Sequence, residues 1–251
     1  FDGVNDYVDV GTTASMTDIS ISFWMKAGTP PAYAKNIIGG NTNSIFQYLG
    51  SKDTSLDLYV YYSAVGWAKV ATNVFDNAWH HIVVTFDNST GETKGYKNGT
   101  LDSTATITGL IGTSAHIGRI GSYITSSRYY AGNADEVSLY NTILDSTAVT
   151  ALYNSGVPSD LTGTSGLTNW WRMGEDATFS TNWTIPDKIG SNTGTSANMT
   201  NDDLTGDAPG VTANGVSANM DINDRTGDAP DSSNNALSYN MVEADIEEEA
   251  P

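Results

Sequence analysis

Apolar and polar residues alternate with period two in several short runs of the first two thirds of the chain. The clearest are Ile19-Ser20-Ile21-Ser22-Phe23, Leu56-Asp57-Leu58-Tyr59-Val60-Tyr61 and Trp79-His80-His81-Ile82-Val83-Val84-Thr85-Phe86. Such alternation sends successive side chains to opposite faces of an extended backbone, so these runs predict strands with at least one buried face. Lys97-Asn98-Gly99-Thr100 predicts a hairpin, because Asn-Gly accepts the two positive φ angles of a type I′ turn. The period changes once. Ala148, Val149, Ala151, Leu152 and Tyr153 form the apolar face of a short helix, with Asp145-Ser146 as cap and Gly156 and Pro158 as stop. Many short strands with Gly-rich connections predict an all-β antiparallel sandwich of the jelly-roll type.

Beyond about residue 157 the pattern weakens, and beyond about 198 the composition shifts. Residues 199–251 hold 12 acids against the single Arg225, a net −11, while the first 198 residues carry 10 Lys or Arg against 17 acids, a net −7. The acidic part also repeats. Ser196, Ser217 and Ser238 are 21 residues apart, as are Met199, Met220 and Met241, Asp203, Asp224 and Asp245, and Pro209, Pro230 and Pro251. A fixed period at so many positions predicts a repeated structural unit, giving units 189–209, 210–230 and 231–251. Composition alone would instead read as a disordered acidic tail. A Met every 21 residues argues for packing, and a unit this short must pack on the jelly roll, on its sister units or on another chain. The expected organisation is a jelly roll over 1–157, a Trp-rich extension over 158–188, and the three acidic units over 189–251.

The chain has 251 residues, 11 Lys or Arg, 29 Asp or Glu and a formal charge of −18. That balance argues against nucleic acid, whose phosphates need a basic face. No apolar run approaches the length of a membrane span, so no membrane insertion is expected. There is no cysteine, which excludes disulfides, thiolate metal sites and Cys nucleophiles. No signal-type segment or initiator Met opens the chain; it begins at Phe1-Asp2-Gly3 as if a preceding segment had been cut away.

Several motifs carry a family resemblance. Phe1-Asp2-Gly3-Val4-Asn5-Asp6-Tyr7-Val8-Asp9-Val10 resembles the opening of the laminin-G-like, concanavalin A-like jelly rolls. Ser20 to Lys26, Ala78 to Asp87, the Gly95-Tyr96-Lys97-Asn98-Gly99 hairpin, Gly132 to Tyr140 and the helix over Leu144 to Tyr153 follow in that family's order. The resemblance covers residues 1 to about 157 and implies the fold. It leaves function open, because the fold hosts lectins, adhesion modules and glycosidases. Leu167-Thr168-Asn169-Trp170-Trp171-Arg172-Met173-Gly174 and Pro186 to Gly194 resemble the leader that normally precedes the Phe-Asp-Gly strand. Here the leader follows the domain. Residues 167–198 are therefore expected to supply a missing edge strand, in their own chain or to a neighbouring copy, the alternative being an independent edge hairpin. The whole layout also resembles virion structural proteins of marine tailed bacteriophages.

The resemblance implies a calcium site at Asp135 of the late strand, with Asp2 and Gly3 near the chain start; the plain alternative is that Asp135 caps a strand end. Oxygen donors of this kind suit Ca²⁺. Sugar binding needs flat aromatic faces, and Tyr61, Tyr62, Trp67, Tyr129 and Tyr130 are the candidates. In each Tyr-Tyr pair one ring must lie on either face, although ordinary cross-strand packing would also account for them. Glu243-Ala244-Asp245-Ile246-Glu247 matches the catalytic carboxylate pattern of laminarinase-type β-glucanases, but lies in the last acidic unit rather than in the jelly roll. His80, His81 and His116 show no zinc spacing. The expectation is a non-enzymatic structural or adhesion protein on a virion or cell exterior. It would contact surface glycans through the jelly roll and form a homo-oligomer or larger assembly through its tail. The alternative is a secreted, calcium-assisted lectin-like module, and a glycoside hydrolase is a third reading.

Overall fold

The computed structural model describes residues 1–30, 34–40, 46–62, 66–107, 116–124, 128–204, 208–209 and 216–217. Two sheets face each other. In chain order the strands are β1 (Tyr7–Asp9), β2 (Ile19–Lys26), β3 (Asn36–Gly40), β4 (Phe46–Gly50), β5 (Leu58–Tyr62), β6 (Gly66–Ala71), β7 (Trp79–Asp87), β8 (Glu92–Lys97), β9 (Thr100–Thr106), β10 (Ile117–Ile120) and β11 (Asn133–Tyr140). Helix α1 (Ser146–Tyr153) follows, then β12 (Leu167–Trp171), β13 (Thr178–Phe179), β14 (Trp183–Ile185), β15 (Gly194–Ala197) and β16 (Val216–Ser217). One sheet has the order β16-β13-β14-β15-β1-β10-β3-β4-β5-β6 and the other β12-β11-β2-β7-β8-β9. Among the described strands every pairing is antiparallel except β13 with β16, so the fold is a concanavalin A-like β-sandwich jelly roll with a short helix.

Period-two patterning produces this arrangement directly. Ile19, Ile21, Phe23 and Met25 of β2 point into the space between the sheets, where they meet Val8, Ile37, Leu49, Val60 and Ile82. The alternate residues of the six-stranded sheet face outward, and α1 covers them. Val83, Tyr96 and Tyr140 pack there against Leu144, Val149, Leu152 and Trp170. The sandwich narrows at one edge: a Cβ on Gly95 of β8 would lie 1.7 Å from the Val70 carbonyl oxygen of β6, so only glycine allows this approach.

The local signals behave as their chemistry requires. Asn98 and Gly99 both have positive φ, 51° and 79°, and the hairpin closes with Lys97 opposite Thr100. The Asp145 carboxylate accepts the Ala148 N–H at 2.8 Å and caps α1. The helix stops earlier than Gly156, because Asn154 takes the left-handed conformation at φ 46° and a 3-10 turn completes the exit.

Residues 167–197 complete both sheets of their own chain. β12 pairs with β11, and β15 pairs with β1, Tyr7 standing opposite Ala197. Adjacent tryptophans serve opposite faces, since Trp171 is fully buried between the sheets and Trp170 packs under the helix. Trp171 Nε1 donates to the Asn192 carbonyl at 2.6 Å. The first acidic unit is part of the fold as far as it is described. Ser196 Oγ accepts the Trp183 N–H, Asn198 Nδ2 donates to the Asn5 carbonyl, Met199 packs on the core, and Asp203 closes a capping box with Thr200. Of units 210–230 and 231–251 only Val216–Ser217 is described; the Glu243–Glu247 motif lies outside the described residues. Among the described residues no helix is long and apolar enough to cross a membrane.

Candidate functional site

Two clusters of chemically able side chains stand out. The first lies on the outer face of the ten-stranded sheet. Leu58, Val60 and Tyr62 of β5 point inward, which turns Tyr59 and Tyr61 outward. On β6 the same alternation buries Ala68 and Val70 and turns Trp67 and Lys69 outward. The registers place Tyr48 of β4 opposite Tyr61, and Tyr61 opposite Trp67. The Tyr48 and Tyr61 rings stack at 5.0 Å between centroids and 7° between planes. Trp67 stands edge-on to them, 5.3 Å from Tyr48 and 5.2 Å from Tyr61. Tyr59 lies 6.1 Å from Trp67, and Tyr123 lies 5.2 Å from Tyr48. Burial raises the phenol pKa of Tyr48, against the lowering effect of Arg128, whose Nη1 donates to its oxygen at 2.6 Å. Tyr59, Tyr61 and Trp67 are half-buried, whereas Tyr48 and Tyr123 are buried, at 5% and 9% exposure.

Of the candidates expected from sequence, Tyr61 and Trp67 therefore fall in one patch. Tyr62 and Tyr130 do not. The Tyr62 ring is in the core, with its hydroxyl 2.9 Å from Thr93 Oγ1, and burial pushes its pKa above the usual phenol range. Tyr130 is 1% exposed and donates to the Lys26 carbonyl at 3.2 Å. Neither ring has a face to offer, because each occupies the inward position of its pair. Tyr129 is half-buried, bridges Asn36 and stands apart from the stacked rings. Arg128 and Lys52 were not among the sequence candidates; no local pattern marks a cation that meets its ring only across strands.

The second cluster comprises Asp135, Glu136 and Glu175. The pairing of β11 with β2 slips between Asp135 and Ser138, and Glu136 sits at φ 50°, in the left-handed region. A regular strand would send these two successive carboxylates to opposite faces, and the bulge re-aims them. One oxygen from each of the three side chains lies within 4.8 Å of the others. Asp135 accepts the N–H groups of Glu136 at 2.8 Å and of Ala208 at 3.0 Å. Glu136 accepts Trp170 Nε1 at 2.5 Å and Arg172 Nε at 3.3 Å, and Arg172 reaches Glu175 at 3.2 Å. Burial, then the neighbouring Glu175 and Glu136 charges, raise the Asp135 carboxyl well above its ordinary pKa. A cleft walled by Phe1, Met173, Trp183, Ile185, Met199 and Leu204 opens beside Asp135.

The expected partners of Asp135, namely Asp2 and Gly3, are occupied otherwise. The Asp2 carboxylate closes a turn by accepting the Val4 and Asn5 N–H groups. The Gly3 carbonyl accepts the Lys35 ammonium at 3.0 Å, so a cation already holds that oxygen. The oxygen donors gathered around Asp135 are instead Glu136 and Glu175. This all-oxygen set suits a hard cation such as Ca²⁺, which would share Glu136 and Glu175 with the Arg172 guanidinium. Glu175 lies beyond the jelly-roll motifs and was invisible as a partner in the sequence.

The laminin-G family model of the concanavalin A-like lectin/glucanases superfamily matches residues 2–150. The chain belongs to this family. No curated protein matches it. Among solved structures it is similar to a protein from Bacteroides ovatus described as a candidate carbohydrate-binding protein, with 18% identity and a TM-score of 0.61. That match covers 78% of this chain, and this chain spans only 57% of that one. It is also similar to domain 4 of AbnA, a GH43 extracellular arabinanase from Geobacillus stearothermophilus, at 19% identity and a TM-score of 0.45, over 61% of this chain and 74% of that one. A heptameric SAP-like pentraxin from Limulus polyphemus aligns at 12% identity and a TM-score of 0.42, over 61% and 83% of the two chains. At these identities the likeness is one of fold.

Proposed function

We propose that this protein is a non-enzymatic, lectin-like adhesion module that binds glycans on the outer aromatic face of its ten-stranded sheet. The carrying observation is the contiguous set Tyr48, Tyr59, Tyr61 and Trp67 on the outer face of the sheet, with Tyr59, Tyr61 and Trp67 half-buried and Tyr48 buried among them. Sugar rings present apolar C–H faces that pack on flat aromatic rings, whose broad surfaces supply large apolar contact area. A hydrolase reading is disfavoured by the carboxylates. Glycosidases need an acid pair flanking an open cleft, whereas Asp135, Glu136 and Glu175 are buried and tied down by Arg172, Trp170 and Ala208. Calcium belongs to the proposal at Asp135, Glu136 and Glu175, as a cation that relieves their mutual repulsion. Display on a virion or cell exterior, in a homo-oligomer or larger assembly, completes it, supported by the resemblance of layout.

The test is binding of the full chain to an immobilised glycan array. Trp67→Ala is expected to weaken the best interaction about tenfold, the equivalent of ~1.4 kcal/mol, while Tyr129→Ala leaves it unchanged. A Trp67→Ala variant that binds like the parent, or an array with no hits, would sink the reading.

A further inference from the structure

Charge is spread unevenly over this acidic chain, and the aromatic face lies on its one basic part. Residues 34–71 and 116–130, which carry β3 to β6 and β10, hold 5 Lys or Arg against 2 Asp, a formal +3; the other 198 residues hold 6 against 27, or −21. Three of those cations stand at the rings themselves. The Arg128 guanidinium carbon is 5.1 Å from the Tyr48 ring centroid, in addition to the bond from its Nη1 to the Tyr48 hydroxyl. Lys52 Nζ is 5.5 Å from the centroid of Tyr59. Lys69 stands opposite Tyr59 in the β5–β6 register, with its side chain 43% exposed, and is paired with Asp57 at 3.7 Å.

The other two have no such partner. Among the described residues no carboxylate lies within ion-pair distance of Arg128 or Lys52, although the neighbouring Asp53 carboxylate feels the Lys52 charge. The connecting segments 41–45, 63–65 and 125–127 contain no Asp or Glu. A cation beside an aromatic face is stabilised by the ring quadrupole and stays available to an anion. Arginine keeps several donors in a fork whose geometry matches carboxylate and sulfate. A polyanion is repelled by the rest of the surface, so the field of the whole molecule would steer it to this face.

We infer that the ligand of the aromatic face is an anionic glycan, bearing carboxylate or sulfate groups along its sugar rings. This deepens the glycan-binding reading and rests on it. The sugar faces lie on Tyr61 and Trp67, and Arg128 and Lys52 take the anionic groups. A neutral glycan would use the rings and leave both cations idle.

The full chain is tested on an array of neutral, uronate-bearing, sialylated and sulfated glycans at about 0.15 M salt, where surface charges are screened beyond roughly 8 Å. The strongest hit is then compared with the same glycan after its carboxylates are esterified or its sulfates removed. The anionic form is expected to bind about tenfold more tightly, and Arg128→Gln or Lys52→Gln to bring the ratio of anionic to neutral affinity down towards one. Trp67→Ala is expected to weaken both. Dominance of neutral glycans that still depend on Trp67, or a preference that survives both cation variants, overturns the anionic assignment and leaves the glycan reading standing. An empty array removes both. The rival occupant is the chain's own acidic tail: carbodiimide cross-links in the full chain from Lys52 to carboxylates of residues 218–251 would show the tail on this face and overturn the inference.

Discussion

Asp135 illustrates what one bulge does to a side chain. In a regular strand Asp135 and Glu136 would face apart; with the register slip and the left-handed Glu136 their carboxylates come together, and Glu175 joins them. Burial and like charge then oppose ionisation of Asp135, which two N–H groups only partly offset. A divalent cation reverses that balance, since it rewards the charged form. Calcium in large excess, about 100 times its dissociation constant, would add ~2.7 kcal/mol to the folded state. For a domain of this size that is a melting shift of several degrees, at roughly 2–4 °C per kcal/mol. Millimolar Ca²⁺ relative to chelator is therefore expected to raise the Tm of the parent chain and not that of Asp135→Asn. Equal shifts in both, or no shift in either, would remove calcium from the proposal. The sequence showed Asp135 itself but not its company: Glu175 is 40 positions away, and Gly3 is satisfied by a lysine that no motif announces.

At the scale of elements, the leader-like segment decides how the sandwich closes. β12 covers β11 and β15 covers β1, so without them the six-stranded sheet would end on a bare β11 and the ten-stranded sheet would end, near its middle, on a bare β1. Trp171 anchors this arrangement from the core. Its truncation to alanine is expected to cost about 3–5 kcal/mol, the range for large aromatic-to-alanine changes at buried sites. A chain ending at 160 is expected to unfold at a much lower temperature than the full chain. Chemical denaturation settles the first and a thermal scan the second; matching unfolding of 1–160 and 1–251 would show that the extension is an accessory. Much of this scale was legible in the sequence. Strand β7, the Asn-Gly hairpin and the capped helix follow from local rules. The inward choice within Tyr61-Tyr62 was readable too, because Tyr62 shares parity with Leu58 and Val60. Tyr130 offers no such clue, lying next to a bridge rather than in a patterned strand. The 21-residue period also acquires a physical meaning in its first unit. Ser196, Asn198, Met199, Asp203 and Ala208 recur in the sequence, and each makes a contact that seats the segment. The positions between them that vary, such as Thr195 and Asp202, are exposed.

The whole molecule sets the frame for assembly. Self-donation of residues 167–197 satisfies β1 and β11 within one chain, so exchange of the leader between copies is not needed to close the sandwich. Any assembly device is then sought in the remaining acidic units, which carry the recurring Ser, Met, Asp and Pro positions. The informative cut is set by the fold. Ending the chain at 188 would strip β15 from β1 and confuse loss of assembly with loss of folding, whereas ending it at 217 keeps every described strand. Light-scattering masses of 1–251 and 1–217 should therefore differ in kind, with a defined oligomer for the long chain and a monomer for the short one. The formal −18 opposes self-association through long-range repulsion, and salt screens it. The long chain should accordingly assemble more completely at high ionic strength, while the short chain stays monomeric throughout. Monomers at every salt concentration for both chains would withdraw the assembly part of the proposal and leave a single-copy glycan-binding module. Oligomers of both would move the contact to the described surface, where β9, with Leu101 half exposed on a sheet edge, is the first strand to alter.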